Sequence, residues 1–203
     1  FEELTDLVEP LSLDEAYMDI SEKIPREEVG TTAKELKQKV REHSGLAVTI
    51  GGGTSKTVSK IASQVAKPDG LLMIPPGREP EFLKPLDVEM LWGIGPKTSA
   101  ILRAAGIDTL GQLAECDDHS IVLTLGRRGS ELKSRALGLD ENVVTPNREA
   151  KSISSETTLD IDVGEPEQLL AQMRSLSQGV AVQLQSKSLK GRTVWIKLRL
   201  ADF

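Results

Sequence analysis

Two adjacent carboxylates, Asp14 and Glu15, interrupt an otherwise apolar, strand-like run from Leu7 to Ile20. A charged pair in such a run is costly unless a cation or solvent meets it. In a regular strand the two side chains would point to opposite faces, so both reach one ion only where the chain turns, as at a hairpin tip. Pro10 agrees with a turn, because proline belongs at an edge or bend and not in a central ladder. The run therefore either folds into a hairpin that presents both acids to a divalent cation or exposes them as solvated charges.

The 203 residues, 38% of them hydrophobic, suffice for one domain or several small ones with real cores. No apolar run approaches about 18 residues and no signal peptide opens the chain, so a soluble, intracellular, cytoplasmic protein is expected. The single cysteine, Cys116, excludes an internal disulfide framework and a cysteine-cluster metal site. Net charge is −6, which at first argues against a polyanion partner, but the first 28 residues hold ten acids and two bases. The remainder carries 23 bases against 21 acids. An acidic end followed by basic patches suits a metal centre beside a polyanion groove, and also an ordinary mixed surface. Phe1 enters what reads as the last turn of a helix, and Leu200-Ala201-Asp202-Phe203 stops inside a strand pattern. The sequence is thus expected to be a segment of a longer protein.

Thr32-Ala33-Lys34-Glu35 reads as a capping box, and Ala33, Leu36 and Val40 give helical spacing up to about Ser44, with Gly45 as the stop. Leu46 to Ile50 reads as a buried strand. Gly51-Gly52-Gly53 then turns the chain into a helix that Pro68-Asp69-Gly70 breaks, and Leu71 to Ile74 follows as a strand. Strand and helix alternate, as in an α/β-type half domain. At about 100° per residue, Lys56, Lys60 and Lys67 share one face of the helix while Val58, Ile61, Ala62 and Val65 share the other. The lysine stripe is either a phosphate-binding face or a solvated one. Strand, triple glycine and helix imitate a P-loop, but G-x-x-x-x-G-K-S/T requires glycine where Ile50 and Ser55 stand.

Pro75-Pro76-Gly77 and the charged residues 78 to 81 read as a linker, after which the chain turns helical. A short helix, Leu86 to Trp92, leads into Gly93-Ile94-Gly95-Pro96-Lys97-Thr98. Pro96 suits the first position of a new helix with Ile101 and Ala104 inward and Gly106 at its end. This is a helix-hairpin-helix pattern. Its glycines allow close backbone approach, and the following helix N-terminus can hold a DNA phosphate without reading a base. A bare G-x-G also serves as a tight inter-helix turn. A looser echo stands at Gly126-Arg127-Arg128-Gly129-Ser130, where the arginines reach phosphate or remain surface charges. Cys116-Asp117-Asp118-His119 reads as a loop and helix cap, not a metal site, and His43 as a helix C-terminal residue serving the dipole. Residues 142 to 149, with Pro146, form a second linker. Lys151 to Leu159 then reads as a strand with Ser152, Ser154 and Glu156 on one face, followed by a helix from Pro166 with Leu169, Leu170, Met173, Leu176 and Val180 inward, and a strand from Arg192 to Leu200.

The wording V-E-P-L-S-L-D-E-A-Y-M-D-I-S closely resembles the palm motif of the Y-family DNA polymerases, the lesion-bypass enzymes, and especially the DNA polymerase IV branch. K-T-V-S-K-I-A-S-Q-V-A-K-P-D-G resembles the segment after that motif, and K-S-I-S-S-E-T-T-L the first strand of the little-finger domain. The resemblance runs in order over nearly the whole chain. It implies an α+β fold: part of the palm as a mixed sheet with helices (residues 1–77), an all-helical helix-hairpin-helix thumb (78–149) and part of an α/β little finger (150–203). It further implies that Asp14 and Glu15 hold catalytic Mg²⁺ and that Lys60 contacts the triphosphate of the incoming nucleotide; beside these, Gly93, Ile94, Gly95, Lys97, Thr98, Arg127, Arg128, Ser152 and Ser154 are the residues expected to bind DNA. The implied partners are primer-template DNA and deoxynucleoside triphosphates. Any sliding-clamp contact falls to segments outside this sequence, and the protein is expected to act as a monomer away from membranes. A further metal-binding Asp, the fingers and the rest of the little finger are expected beyond the two ends, so these residues alone should be inactive. The rival reading is a non-catalytic helix-hairpin-helix DNA-binding protein. An upstream acidic strand of the D-x-D-x-F-F kind separates the two.

Overall fold

The computed structural model describes residues 1–147 and 150–199, in two compact units, Phe1–Asn147 and Arg148–Phe203. In the first unit, β1 (Val8–Pro10) and β2 (Ala16–Met18) form an antiparallel hairpin in which Pro10 faces Ala16. Helix α1 (Val29–Ser44) follows, then β3 (Ile50–Gly52), α2 (Lys56–Val65) and β4 (Leu71–Met73), with β3 and β4 paired in parallel. The remainder is helical: α3 (Glu79–Leu83), a 3-10 turn at Val88–Met90, α4 (Pro96–Ala104), α5 (Leu110–Glu115), α6 (Asp118–Leu125) and α7 (Arg128–Ala136).

Helix α1 stops where expected, with Gly45 at φ +72° and its amide bonded to the Arg41 carbonyl. Its start lies a turn earlier than the capping-box pattern predicts. A turn closed by Glu28 N–H on the Pro25 carbonyl launches the helix, so Thr32 and Glu35 lie inside it. The triple glycine is not the expected turn. Gly51 and Gly52 are strand residues, because α2 packs flush on the parallel pair. A Cβ on Gly51 would lie 2.0 Å from the Ser63 amide nitrogen, and one on Gly70 1.9 Å from the Ala66 carbonyl oxygen. The lysine stripe is broken up as well: α2 ends at Val65, so Lys67 lies beyond it, while Lys56 and Lys60 are each held by a carboxylate of the β1–β2 hairpin. Val58, Ile61 and Ala62 are buried as expected, whereas Val65 is exposed.

Residues 75–78 connect β4 to α3, which begins inside the expected linker because Glu79 is drawn inward by a bond from Thr54 Oγ1 (2.6 Å). That bond holds the Glu79 carboxyl below its usual range despite partial desolvation. The core crosses this connection without interruption: α2 residues share one buried cluster with Leu83, Leu91, Leu102, Leu110 and Ile121. In α4 the inward face is Ser99 and Leu102, not Ile101 and Ala104, since the hairpin before it already buries Ile94 and rotates the helix accordingly. Gly106 (φ +78°) terminates α4, and Thr109 and Gln112 form a reciprocal capping box for α5. Asp117 caps α6 by accepting from the Ser120 amide, which gives the Cys116–His119 stretch its role. His43 Nδ1 lies 2.8 Å from the Lys39 carbonyl in the last turn of α1.

After α7 the chain folds back over the N-terminal turn of α2. Asp140 accepts from both the amide and the hydroxyl of Thr57 (3.2 and 2.7 Å), and Ser55 Oγ donates to the Gly138 carbonyl. The helix N-terminus that a P-loop would offer to phosphate is thus filled by a carboxylate of the same chain. Burial pushes the Asp140 carboxyl up, but the bonds from Thr57 and Asn142 and the Arg135 charge outweigh it and hold it below the ordinary 3.8. A depressed folded-state value adds stability above the ordinary range that is lost as pH falls through it. Denaturant unfolding at pH 7 and pH 3 should therefore show a smaller acid loss in Asp140→Asn than in the parent chain. Equal acid losses would remove Asp140 from the acid limb.

In the second unit α8 (Pro166–Ser186) starts at Pro166 as expected, with Leu169, Met173, Leu176 and Val180 half-buried and Leu170 exposed. The strands expected at residues 151–159 and from Arg192 are absent among the described residues. Their backbones run without a ladder partner, and a strand is defined by that pairing. The Ser155 side chain lies against Gly179 of α8. Residues 148, 149 and 200–203, on which part of the second linker and the expected strand end fall, lie outside the described residues. No helix among the described residues is long and apolar enough to cross a membrane.

Candidate functional site

The hairpin places Asp14 and Glu15 together at its tip. The turn is closed by the Leu11 and Ser12 amides, both donating to the Glu15 carbonyl (2.9 and 3.3 Å). Ser12 Oγ donates to Asp14 Oδ1 (2.5 Å), which holds the exposed Asp14 carboxyl below its usual value. Glu15 Oε2 receives Lys60 Nζ at 2.5 Å, so the second lysine of K-x-x-x-K reaches the tip from the middle of α2. The first lysine has a different task. Lys56 Nζ bonds Glu9 Oε2 at 2.6 Å, lies 4.9 Å from the centre of the Tyr17 ring and also reaches the Val143 carbonyl. Glu9 is 1% exposed and accepts from the Thr145 amide as well (2.7 Å). Burial beside Asp140, Glu15 and Glu9 pushes the Tyr17 phenol up to about 12, so it stays neutral near pH 7.

Two carboxylates on an exposed turn offer hard oxygen donors of the kind Mg²⁺ accepts. No group of three or more His, Cys, Asp or Glu side chains converges to hold a metal among the described residues. By donor chemistry alone, the two carboxylates could supply part of the shell of a hard divalent ion, with the other ligands coming from elsewhere.

The glycine hairpin lies in the same unit. Gly93 has φ +101°, a left-handed conformation that favours glycine, whereas Gly95 is extended (φ −93°, ψ 179°) and caps α4 with open space where a Cβ would stand. Ile94 is buried, and its N–H closes the turn by donating to the Leu91 carbonyl (2.9 Å). Pro96 occupies the first turn of α4, with Lys97 exposed and Thr98 half-buried beside it. Arg127 and Arg128 are exposed at the α6–α7 junction, and the Arg128 guanidinium reaches within 3.3 Å of where a Cβ on Gly93 would be. The tip, Lys60, the glycine hairpin and Arg128 thus belong to one compact unit, whereas Ser152 and Ser154 lie exposed on extended chain in the other.

Three participants carried no sequence signal. Glu9 looked like one more acid of an acidic end, Trp92 like the last residue of a short helix, and Arg135 like an ordinary helical arginine. Arg135 is only 9% exposed, donates from Nε to Thr57 Oγ1 (2.9 Å), and lies 6.0 Å from the centre of the Trp92 ring.

Family models match three segments of the chain. The impB/mucB/samB family matches residues 1–64, the IMS family HHH motif residues 76–107, and the impB/mucB/samB family C-terminal domain residues 150–203. Among curated relatives, DNA polymerase IV of Streptomyces coelicolor is 40% identical, over 99% of this chain and 43% of its own length. DNA polymerase IV 1 of Bacillus subtilis is 37% identical, over 99% of this chain and 49% of its own. Among solved structures, a Y-family DNA polymerase chimera superposes with a TM-score of 0.78 at 25% identity, over 89% of this chain and 53% of that one. DinB from Sulfolobus solfataricus gives 0.64 at 28% identity, over 70% of this chain and 43% of that one. The chain belongs to the Y-family of DNA polymerases, the impB/mucB/samB family. The curated relatives named here are all DNA polymerases IV, and the chain spans about half of their length.

Proposed function

We propose that the full-length protein is a translesion DNA polymerase, extending a primer past damaged template bases by nucleotidyl transfer. The observation that carries this is the hairpin tip, where Asp14 and Glu15 stand together and Lys60 meets Glu15 at 2.5 Å. Asp14 and Glu15 would hold Mg²⁺, which when bound lowers the cost of charge on the attacking and leaving oxygens of an in-line displacement. Lys60 supplies a compact cation to the triphosphate, exchanging the Glu15 carboxylate for phosphate oxygens as the nucleotide arrives. Gly93 and Gly95 offer backbone N–H groups to a primer-template phosphate, with Ile94, whose own N–H bonds the Leu91 carbonyl, holding the turn between them and Lys97, Thr98, Arg127 and Arg128 assisting. Ser152 and Ser154 are assigned to the DNA backbone as well. We read residues 1–77 as palm, 78–149 as thumb and 150–203 as little finger.

The rival reading, a non-catalytic DNA binder, leaves the Lys60–Glu15 contact beside Asp14 at an exposed turn without a purpose. Primer extension by the full-length protein with a deoxynucleoside triphosphate and Mg²⁺ tests the proposal, and DNA binding without extension would favour the rival. Gly95→Val tests the hairpin. Its backbone angles suit any residue and its Cβ meets nothing, so the fold should survive while the side chain fills the space a phosphate needs. DNA affinity should fall about tenfold, equally across sequences, as expected when a backbone contact and not base readout is lost. A loss confined to particular sequences would mean that the hairpin reads bases.

A further inference from the structure

Trp92 is 73% exposed, an unusual state for an indole, and it is not a loose surface residue. One side is backed by the Arg135 guanidinium, 6.0 Å from the ring centre. Arg135 is in turn fixed by its Nε–H bond to Thr57 Oγ1, and Thr57 by Asp140. Trp92 also borders a groove of about 300 Å³ that runs from Lys60 and Gln64 on α2 past Met90 to Gly93 and Gly95. Lys60 is the residue that reaches the Glu15 carboxylate. The groove therefore runs from Lys60, whose ammonium reaches the tip, to the glycine hairpin, with the Trp92 ring on its rim.

We infer that Trp92 is a DNA-contacting residue whose open face packs on a deoxyribose of the primer strand, next to the phosphate that Gly93–Gly95 hold. The inference rests on the polymerase reading and extends it to a contact of different chemistry. A flat ring adds apolar and π contact without charge and without regard to base identity. Arg135 acts as a positioning residue: it holds the ring in place and links the hairpin to the first turn of α2, the helix that carries Lys60.

These 203 residues hold two tryptophans, Trp92 and Trp195, so in a chain of these residues Trp195→Phe leaves Trp92 as the sole reporter. Titrating that variant with labelled primer-template DNA should raise the anisotropy of the label and quench Trp92 emission along the same binding curve. Trp92→Ala should weaken binding about fivefold to tenfold at fixed salt, at the low end of what aromatic stacking on a nucleotide contributes. The slope of log affinity against log salt should stay unchanged, because no counterion-releasing charge is lost, whereas Lys97→Ala should make the slope shallower. Trp92→Phe should retain most of the affinity, and an unchanged melting temperature shows that the exposed site can be altered without unfolding. If anisotropy rises while Trp92 emission is unaltered, or if Trp92→Ala binds like its parent, the Trp92 contact is refuted and the polymerase reading stands. If anisotropy does not rise at all, the DNA-binding reading itself fails.

Discussion

Replacing Asp14 by alanine in the full-length protein is expected to lower nucleotide incorporation about a thousandfold, the rate equivalent of the several kcal/mol that metal-ion charge stabilisation supplies. DNA affinity should stay nearly unchanged, because the hairpin and its cations lie on other elements. Glu15→Ala should act similarly on rate and, in addition, free Lys60 from its 2.5 Å partner. The two variants should then differ in nucleotide affinity: Asp14→Ala leaves Lys60 engaged with Glu15, whereas Glu15→Ala releases the ammonium to bind the triphosphate more tightly. Single-turnover primer extension over a nucleotide series separates rate from affinity. Wild-type incorporation by either variant would overturn the metal assignment, and identical nucleotide affinity in the two would remove Lys60 from the triphosphate.

The largest stability effect is expected at Lys56. Its ammonium is the partner of Glu9, which is almost wholly buried and also holds the Thr145 amide. Lys56→Met would take the ammonium from a carboxylate in the interior, and breaking one side of a buried pair costs about 3–5 kcal/mol. Thermal unfolding should shift down by about 10 °C for a unit of this size. Adding Glu9→Gln should recover most of the loss, because the amide oxygen still accepts from Thr145 and no charge remains to be matched. A Lys56→Met variant that melts with its parent would show that solvent reaches the pair.

The local grammar of the chain was readable wherever a residue type dictates a backbone state. Gly45 and Gly106 stop their helices, Pro96 and Pro166 start theirs, and Pro10 with the Asp14-Glu15 pair announces the hairpin. Misreadings arose where the decisive partner is distant in sequence. Gly51 looked like a turn glycine because the helix against which it packs is invisible in a local window. Lys56 and Lys60 looked equivalent by helical angle, yet Glu9 buries one and Glu15 holds the other near the surface. Arg135 could not have been singled out, since its partners Thr57 and Trp92 come from separate elements brought together by folding. The strands expected near 151–159 and 192–199 rested on alternation alone, which proposes a strand but cannot supply its neighbour.

Gly51 seats α2 directly on main chain, with no side chain in between, and Gly70 lies as close to Ala66, the cap residue just past its end. Most helices rest on rotamers that can rearrange when a neighbour changes, so their height above a sheet drifts with the composition of the core. Here main-chain atoms act as a mechanical stop. The reach of Lys60 toward the tip is therefore indifferent to conservative exchanges at Val58 or Ile61 that alter overall stability. It is intolerant of a single methyl group at Gly51, which would lift the helix off the strand and carry the ammonium off its mark.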